Sequence, residues 1–283
     1  MKSKKNKVLK ILLILLAIFM CIPIIFIISG SFMGSGELKE YLSGIIGNGK
    51  SYVTWSFIPK YPTLTSFVEL LLDSPKFFVM YWNSIKIVIL VLVGQAVISV
   101  PAAWGFAQYN FKFKKLIFTL YIVLMLMPFQ VTMLSSYLVL DKFHMINTHL
   151  SLILPGVFST FPVFIMYRFF LSIPKEIIEA ARIDGASEFK VFIKIGVPIG
   201  MPGIISAMIL NFIEYWNLIE QPLTFLKDKS LYPLSLYLPN IDLSNAHVAF
   251  VASLVTMATS IIIFFAGQKY LKEGIAVTGG KEN

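Results

Sequence analysis

Runs of apolar residues about twenty long, separated by polar or glycine- and proline-rich stretches, set the pattern of the chain. A helix needs about 20 mainly apolar residues to cross roughly 30 Å of hydrocarbon. Six stretches reach that length: Leu9–Ile28, Ile85–Phe106, Leu116–Leu140, Leu150–Phe170, Ile199–Ile219 and Val248–Tyr270. The pattern therefore predicts an all-α, polytopic membrane protein with six transmembrane helices. An even number of crossings puts both termini on one side. No repeat of 20–50 residues, low-complexity tract or sustained heptad accompanies these runs.

Composition agrees with that class. Of the 283 residues, 57% are hydrophobic and 14% charged, against about 25% charged in soluble domains. A single-core soluble enzyme is excluded, and so is a disordered chain, which must be poor in apolar residues. Charge then decides the orientation. Five lysines fall within the first ten residues (Lys2, Lys4, Lys5, Lys7 and Lys10). Beside a long apolar run, such a cluster holds a helix end in the cytoplasm rather than binding nucleic acid. With the N-terminus inside, 16 of the 24 basic residues lie on inner segments and 8 on outer ones. Both termini are thus predicted to be cytoplasmic, with the chain in the plasma or inner membrane.

Val8–Ile28 lacks an A-x-A-like cleavage site, so it reads as a retained span rather than a signal peptide. The single cysteine, Cys21, allows no intrachain disulfide, and Ile18-Phe19-Met20 before it lacks the small residue of a lipoprotein signal. The predicted plan is a basic tail and first span (1–28), an outer loop (29–83), a core (84–270) holding an inner loop (171–198), and a cytoplasmic tail (271–283).

Two motifs fail on context. Gly44 to Ser51 matches G-x-x-x-x-G-K-[ST], but a phosphate-binding loop needs a strand feeding a glycine turn that opens a helix. The upstream Glu37-Leu-Lys-Glu-Tyr is not a buried strand, and Tyr52-Val-Thr-Trp-Ser-Phe downstream reads as extended. Three histidines (His144, His149, His247) lack the cysteine or acidic partners that would complete a metal site. No nucleophile–base pair or paired carboxylates stand out, so no catalytic residue, metal or bound cofactor is expected.

The inner loop carries more. Ser172 is placed as a helix N-cap, with Pro174 in the first turn and Glu176 near the positive end of the dipole. Gly185 is free to take φ > 0 and end that helix. Ser187 and Glu188 open a second short helix, predicted to stop near Gly196-Val197-Pro198. Ala180, Ala181 and Ala186 keep one surface thin, flanked by the charges of Glu179, Arg182 and Asp184. By shape alone this is either a knob that enters another protein's cleft or a connector lying on the membrane.

Glu179-Ala180-Ala181-x-x-x-Gly185, followed by nine residues and then Ile195-x-x-Pro198, resembles the EAA motif of membrane subunits of binding-protein-dependent ABC importers. The string from Ile173 to Ser187 is similar to the MalG type of the carbohydrate-uptake branch. Asn83-Ser84, Trp216-Asn217 and the tail from Glu273 to Gly280 resemble that branch too, so the likeness covers residues 80–280. Val197-Pro198 stands where the family often has Leu-Pro, and Glu220 departs from the pattern after Trp216-Asn217.

The resemblance implies a type I ABC importer transmembrane domain without enzymatic activity of its own. Glu179, Ala180, Ala181, Asp184, Gly185 and Pro198 would belong to a coupling helix docked on a cytoplasmic ABC ATPase dimer, which would use the ATP and Mg. A second MalF-like permease and an extracytoplasmic solute-binding protein are the other implied partners. The implied cargo is a carbohydrate, an oligosaccharide first, with another polar solute such as glycerol phosphate as the alternative.

Span five adds a polar stripe. At about 100° per residue, Asn211, Glu214, Asn217 and Gln221 fall within an arc of roughly 120°. Such groups are costly against lipid, so they either line a substrate path or bond to a partner helix. An ion-coupled secondary transporter is the rival from another class. It would show inverted repeats or broken helices, and neither is visible in the sequence. A membrane-embedded enzyme lacks its catalytic constellation.

Overall fold

Where the apolar runs bend or break is decided mostly by proline and by what packs beside it. A computed structural model of the protein describes residues 2–46, 56–237 and 245–279. Every regular element among them is helical. They fall into two compact units, Met1–Phe78 with Tyr237–Thr259 and Val79–Leu236 with Ser260–Asn283.

The first unit opens with α1 (Lys2–Ser31), whose large apolar side chains from Leu9 to Met20 are all about half or more exposed. A helix that is apolar all round is made for lipid. Its C-terminal end is different. Gly30 lies so close to Phe250 of the C-terminal helix (Ala246–Gly279) that an added Cβ would sit 2.5 Å from the ring. Phe26 packs on the same ring, centroids 5.3 Å apart. α2 (Ser35–Ile46) buries Leu38 and Tyr41 against Met33. The Glu37 carboxylate on α2 accepts the backbone N–H of Lys60 at 2.8 Å. α3 (Thr65–Leu72) brings Glu69 to 2.9 Å from the imidazole of His247, a partner that sequence spacing does not reveal. The segment expected as a loop over 29–83 therefore contains α2 and α3. It also contains the first turns of α4 (Pro75–Gln108), which begins well before the predicted Ile85.

The second unit continues α4 and adds α5 (Lys114–Leu126), α6 (Phe129–Lys142), α7 (Leu150–Val157) and α8 (Phe161–Leu171). Five helical stretches are long and apolar enough to cross a bilayer, and α5 with α6 makes a sixth if that bent pair is counted as one crossing. The predicted span Leu116–Leu140 is built from two helices at 102°. Pro128 is the cause: it disfavours α geometry in the residue before it, and Met127 is extended at φ −73°, ψ 121°. The fourth run, Leu150–Leu171, counts as one crossing but is interrupted at Phe158–Thr160 between α7 and α8. Both broken runs show what the sequence hides.

The inner loop forms α9 (Lys175–Ile183) and α10 (Glu188–Val191). Ser172 does not cap α9 as expected. It closes α8 instead, donating from Oγ to the Phe169 carbonyl at 2.7 Å, and Pro174 takes the N-cap position of α9. The second helix does not stop at Pro198 either. α10 runs through a π turn, Phe192–Gly196, into α11 (Val197–Trp216). Proline lacks an N–H and its ring crowds the carbonyl four residues back. The wider turn, in which Val197 N–H bonds the Phe192 carbonyl, absorbs that misfit. A short α12 (Glu220–Phe225) follows.

One core joins these elements. Val100, Ala103 and Trp104 of α4, Met166 and Phe170 of α8, and Ala207 of α11 are buried together with Ile173, Ile178 and Val191 of the inner loop. Trp104 meets Phe170 edge-on at 5.4 Å. Gly196, Gly200 and Gly203 make this packing possible. A Cβ would lie 2.6 Å from the Trp104 ring at Gly196, and 2.3 Å from Phe170 and Phe169 at the other two. Small residues that let helices approach closely are a membrane packing device; here Gly200 and Gly203 lie on the α11 face that receives α8, and Gly196 in the turn before it receives α4. The buried amide of Gln95 on α4 donates from Nε2 to the Gly156 carbonyl (2.9 Å) and to Asn211 Oδ1 (3.3 Å), crosslinking α4, α7 and α11.

Candidate functional site

Two places in the second unit gather the residues singled out by sequence. The first is the turn between α9 and α10. Gly185 has φ +80°, in the left-handed region that costs a side-chain-bearing residue roughly 1–2 kcal/mol. Its N–H bonds the Arg182 carbonyl and the Ala186 N–H bonds the Ala181 carbonyl, both at 3.0 Å. That pair of bonds is a Schellman closure. Ser187 then caps α10, its hydroxyl accepting from Lys190 N–H.

Across the turn, Arg182 donates from Nε and Nη2 to the two carboxylate oxygens of Glu188, at 2.8 and 3.0 Å. Hydrogen bonding to Glu188 holds the guanidinium in its charged form and raises its pKa above the usual value. Tyr109, just past α4, donates its hydroxyl to the same carboxylate at 2.8 Å. The hairpin of α9 and α10 is therefore clamped across its mouth and tied to the α4–α5 connection.

Its two faces differ. Ile178 (2% exposed) and Val191 (fully buried) point into the bundle core. Ile183 (86% exposed) and Phe189 (74% exposed) stand out on either side of Gly185, near Glu179, Ala180 and Asp184. Ala181 packs partly against the core. The structure so brings together Glu179, Ala180, Ala181, Asp184 and Gly185, and sets Pro198 apart in the first turn of α11. Ile183 and Phe189 were missed by sequence reading. The available signal was two large apolar residues bracketing a glycine in an otherwise polar turn.

The second place is a cavity of about 480 Å³ at the breaks between α5 and α6 and between α7 and α8. Thr132, Ser136, Ser159 and Thr160 supply hydroxyls to its wall, and Phe129 and Phe158 supply rings. Glu214 and Gln221 also line it. The predicted polar stripe therefore divides. Asn211 is fully buried and bonds the Ala207 carbonyl at 2.8 Å besides accepting from Gln95. Asn217 is exposed outside the cavity wall, its amide returning to the Ile213 carbonyl at 2.8 Å. The Glu220 carboxylate is held at 2.6 Å by Gln130 of α6. A lone glutamine inside the second apolar run was the sequence signal for the Gln95 crosslink.

The remaining motifs resolve simply. Gly44 lies within α2, so a helix rather than a strand precedes the glycine-rich run, and Gly47 to Ser51 lie outside the described residues. Gly280 and Lys281 lie outside them too, as do the side chains of Lys2, Lys4, Lys5 and of the tail from Glu273. His149 pairs with the Leu231 carbonyl at 3.0 Å. No group of three metal-ligating side chains occurs among the described residues. The Asn83 and Ser84 pair anchors the segment before residue 237: Asn83 donates to the Ser230 carbonyl at 2.7 Å and Ser84 accepts Leu234 N–H at 2.8 Å.

Residues 95–277 match the family described as "Binding-protein-dependent transport system inner membrane component". The chain is 28% identical over 288 residues to the arabinooligosaccharides transport system permease protein AraQ of Halalkalibacterium halodurans, covering 99% of this chain and 100% of that one. Its fold is similar to a chain of a bacterial ABC transporter that imports the acidic polysaccharide alginate. The TM-score is 0.80 and the identity 19%, over 95% of this chain and 96% of that one. A second structure, of a bacterial alginate ABC transporter with an alginate pentasaccharide-bound periplasmic protein, aligns with a TM-score of 0.62 at 16% identity over 93% of each chain.

Proposed function

The chain belongs to the binding-protein-dependent transport system inner membrane component family, and on that premise we propose that it passes a carbohydrate through the membrane for an ATP-driven importer. The observation that carries the proposal is the turn at Gly185. It presents Ile183 and Phe189 outward while Ile178 and Val191 root it in the bundle. Exposed apolar side chains on a rigid turn suit a cleft on a partner protein better than water.

In this reading the partner is a cytoplasmic ATPase dimer, which binds and hydrolyses ATP with Mg. Glu179, Ala180, Ala181, Asp184 and Gly185 form the docked surface together with Ile183 and Phe189. Closure of the ATPase displaces the turn. Because Ile178 and Val191 share one core with Trp104 and Phe170, the displacement passes into α4, α8 and α11 as a body, rocking the spans between two access states. One such turn per chain and two ATPase subunits call for a second, MalF-like permease. The basic N-terminus and the loop over 171–198 are cytoplasmic in this account, and an extracytoplasmic binding protein delivers the cargo on the other side.

The sugar assignment is supported by the AraQ relative and by the cavity. Hydroxyl and carboxylate oxygens beside aromatic rings match a solute whose edges are hydroxyls and whose faces are C–H. The broken helices lining it also occur in secondary transporters, so family membership rather than helix continuity separates the two classes.

Co-purification tests the proposal directly. Ile183→Asp and Phe189→Asp should each release the ATPase from the solubilised transporter and abolish oligosaccharide uptake. Undiminished capture of the ATPase by both variants would overturn it.

A further inference from the structure

We propose that Glu214 makes this chain's cavity selective for uncharged sugars over acidic ones, an inference that rests on the carbohydrate reading above. The cavity wall is supplied by α5, α6, α7, α11 and α12 and by the break before α8. Among the described residues lining it, Glu214 is the one with a formal charge, and no lysine, arginine or histidine joins it. No side chain among the described residues is paired with its carboxylate. The neighbouring acid, Glu220, is already engaged by Gln130.

That arrangement has a sign. A carboxylate without a counter-charge accepts hydrogen bonds from the hydroxyls of a neutral sugar; Ser136 and Gln221 can donate or accept around it, and Thr132, which gives its proton to the Phe129 carbonyl, can accept. A uronate or a phosphate brought to the same place meets a like charge exposed to the cavity, at a separation shorter than the Debye length, so salt screens the repulsion only in part. At separations of 6–8 Å and an intermediate effective dielectric, one such repulsion lowers affinity by about tenfold or more. The alginate importer shares this architecture and takes an acidic polysaccharide. Charge preference must then reside in the lining and not in the fold.

Equilibrium binding to the whole membrane assembly tests this, using the chain with its partner permease and ATPase in nanodiscs. The probes are radiolabelled arabinotriose and trigalacturonate. The assembly should hold arabinotriose at least about tenfold more tightly than trigalacturonate. Glu214→Gln should bring the ratio toward unity, Glu214→Lys should invert it, and Glu214→Asp should keep the wild-type preference. Elution of every variant with its partners shows that folding is intact. Equal binding of the two trisaccharides by the wild type, or a ratio unmoved by Glu214→Gln and Glu214→Lys, overturns the role of Glu214 while leaving carbohydrate transport standing. Failure of both trisaccharides to bind any form overturns the carbohydrate reading and this inference with it.

Discussion

Tyr109 donates a 2.8 Å hydrogen bond to Glu188, the first residue of α10, across 79 positions of chain. The same carboxylate is gripped from the other side by Arg182. A connection between two spans is thereby fastened to the turn proposed to receive the ATPase's stroke.

Removing that fastening isolates its contribution. Tyr109→Phe deletes the hydroxyl and keeps the ring. The bond is exposed, so its loss costs no more than about 1 kcal/mol. Sugar transported per ATP hydrolysed, measured in proteoliposomes, should fall by about two- to fivefold, with ATPase capture unchanged. Equal coupling in the variant would show that the tie is incidental.

Gly185 is the more severe test. At φ +80° a β-branched residue is strained by at least about 1–2 kcal/mol, whereas asparagine tolerates the left-handed region. Gly185→Val should therefore uncouple ATP hydrolysis from uptake and Gly185→Asn should retain most of it. Uptake assays beside ATPase measurements on the two variants decide the matter.

The α8–α11 contact predicts a stability contrast. Gly200→Leu must push into Phe170, whose ring carbon would lie 2.3 Å from the new Cβ. Overpacking of this kind costs about 1–3 kcal/mol. Gly105 on α4 has nothing within 4 Å of its Cβ position, so Gly105→Ala should be neutral or stabilise by up to about 1 kcal/mol. Thermal unfolding in detergent should place the first variant below the wild type and the second at or above it.

Gln95 supplies another prediction. Gln95→Leu strips the Gly156 carbonyl and Asn211 of a buried donor, which costs about 1–3 kcal/mol. The melting temperature should drop, and Asn211→Leu in the same chain should add little, because the two residues share one bond network. Additive losses in the double variant would contradict the crosslink.

The sequence made the number of apolar runs legible because length and composition alone set it. It also made the Gly185 turn legible, because alanines, a glycine and a serine cap act within a dozen residues. The breaks were harder. Pro23, Pro101, Pro155 and Pro202 all sit inside helices, whereas Pro128 divides one, so proline by itself does not announce a kink. What surrounds it decides. Contacts between distant segments were invisible for the same reason: nothing local links Tyr109 to Glu188, Gln95 to Asn211 or Glu69 to His247. The outward aim of Ile183 and Phe189 is likewise a property of how α9 and α10 fold back on each other.

The π turn at Phe192–Gly196 works as an angular index. Each residue advances a helix by about 100°, so the five residues of that turn fix the compass bearing of α10 relative to α11. Excising one of them would restore an ordinary helical pitch and swing Phe189 about a quarter-turn around the axis. Every residue of the protrusion itself would survive such a deletion, yet it would point the wrong way, and cross-linking from position 189 to the ATPase would register the lost alignment.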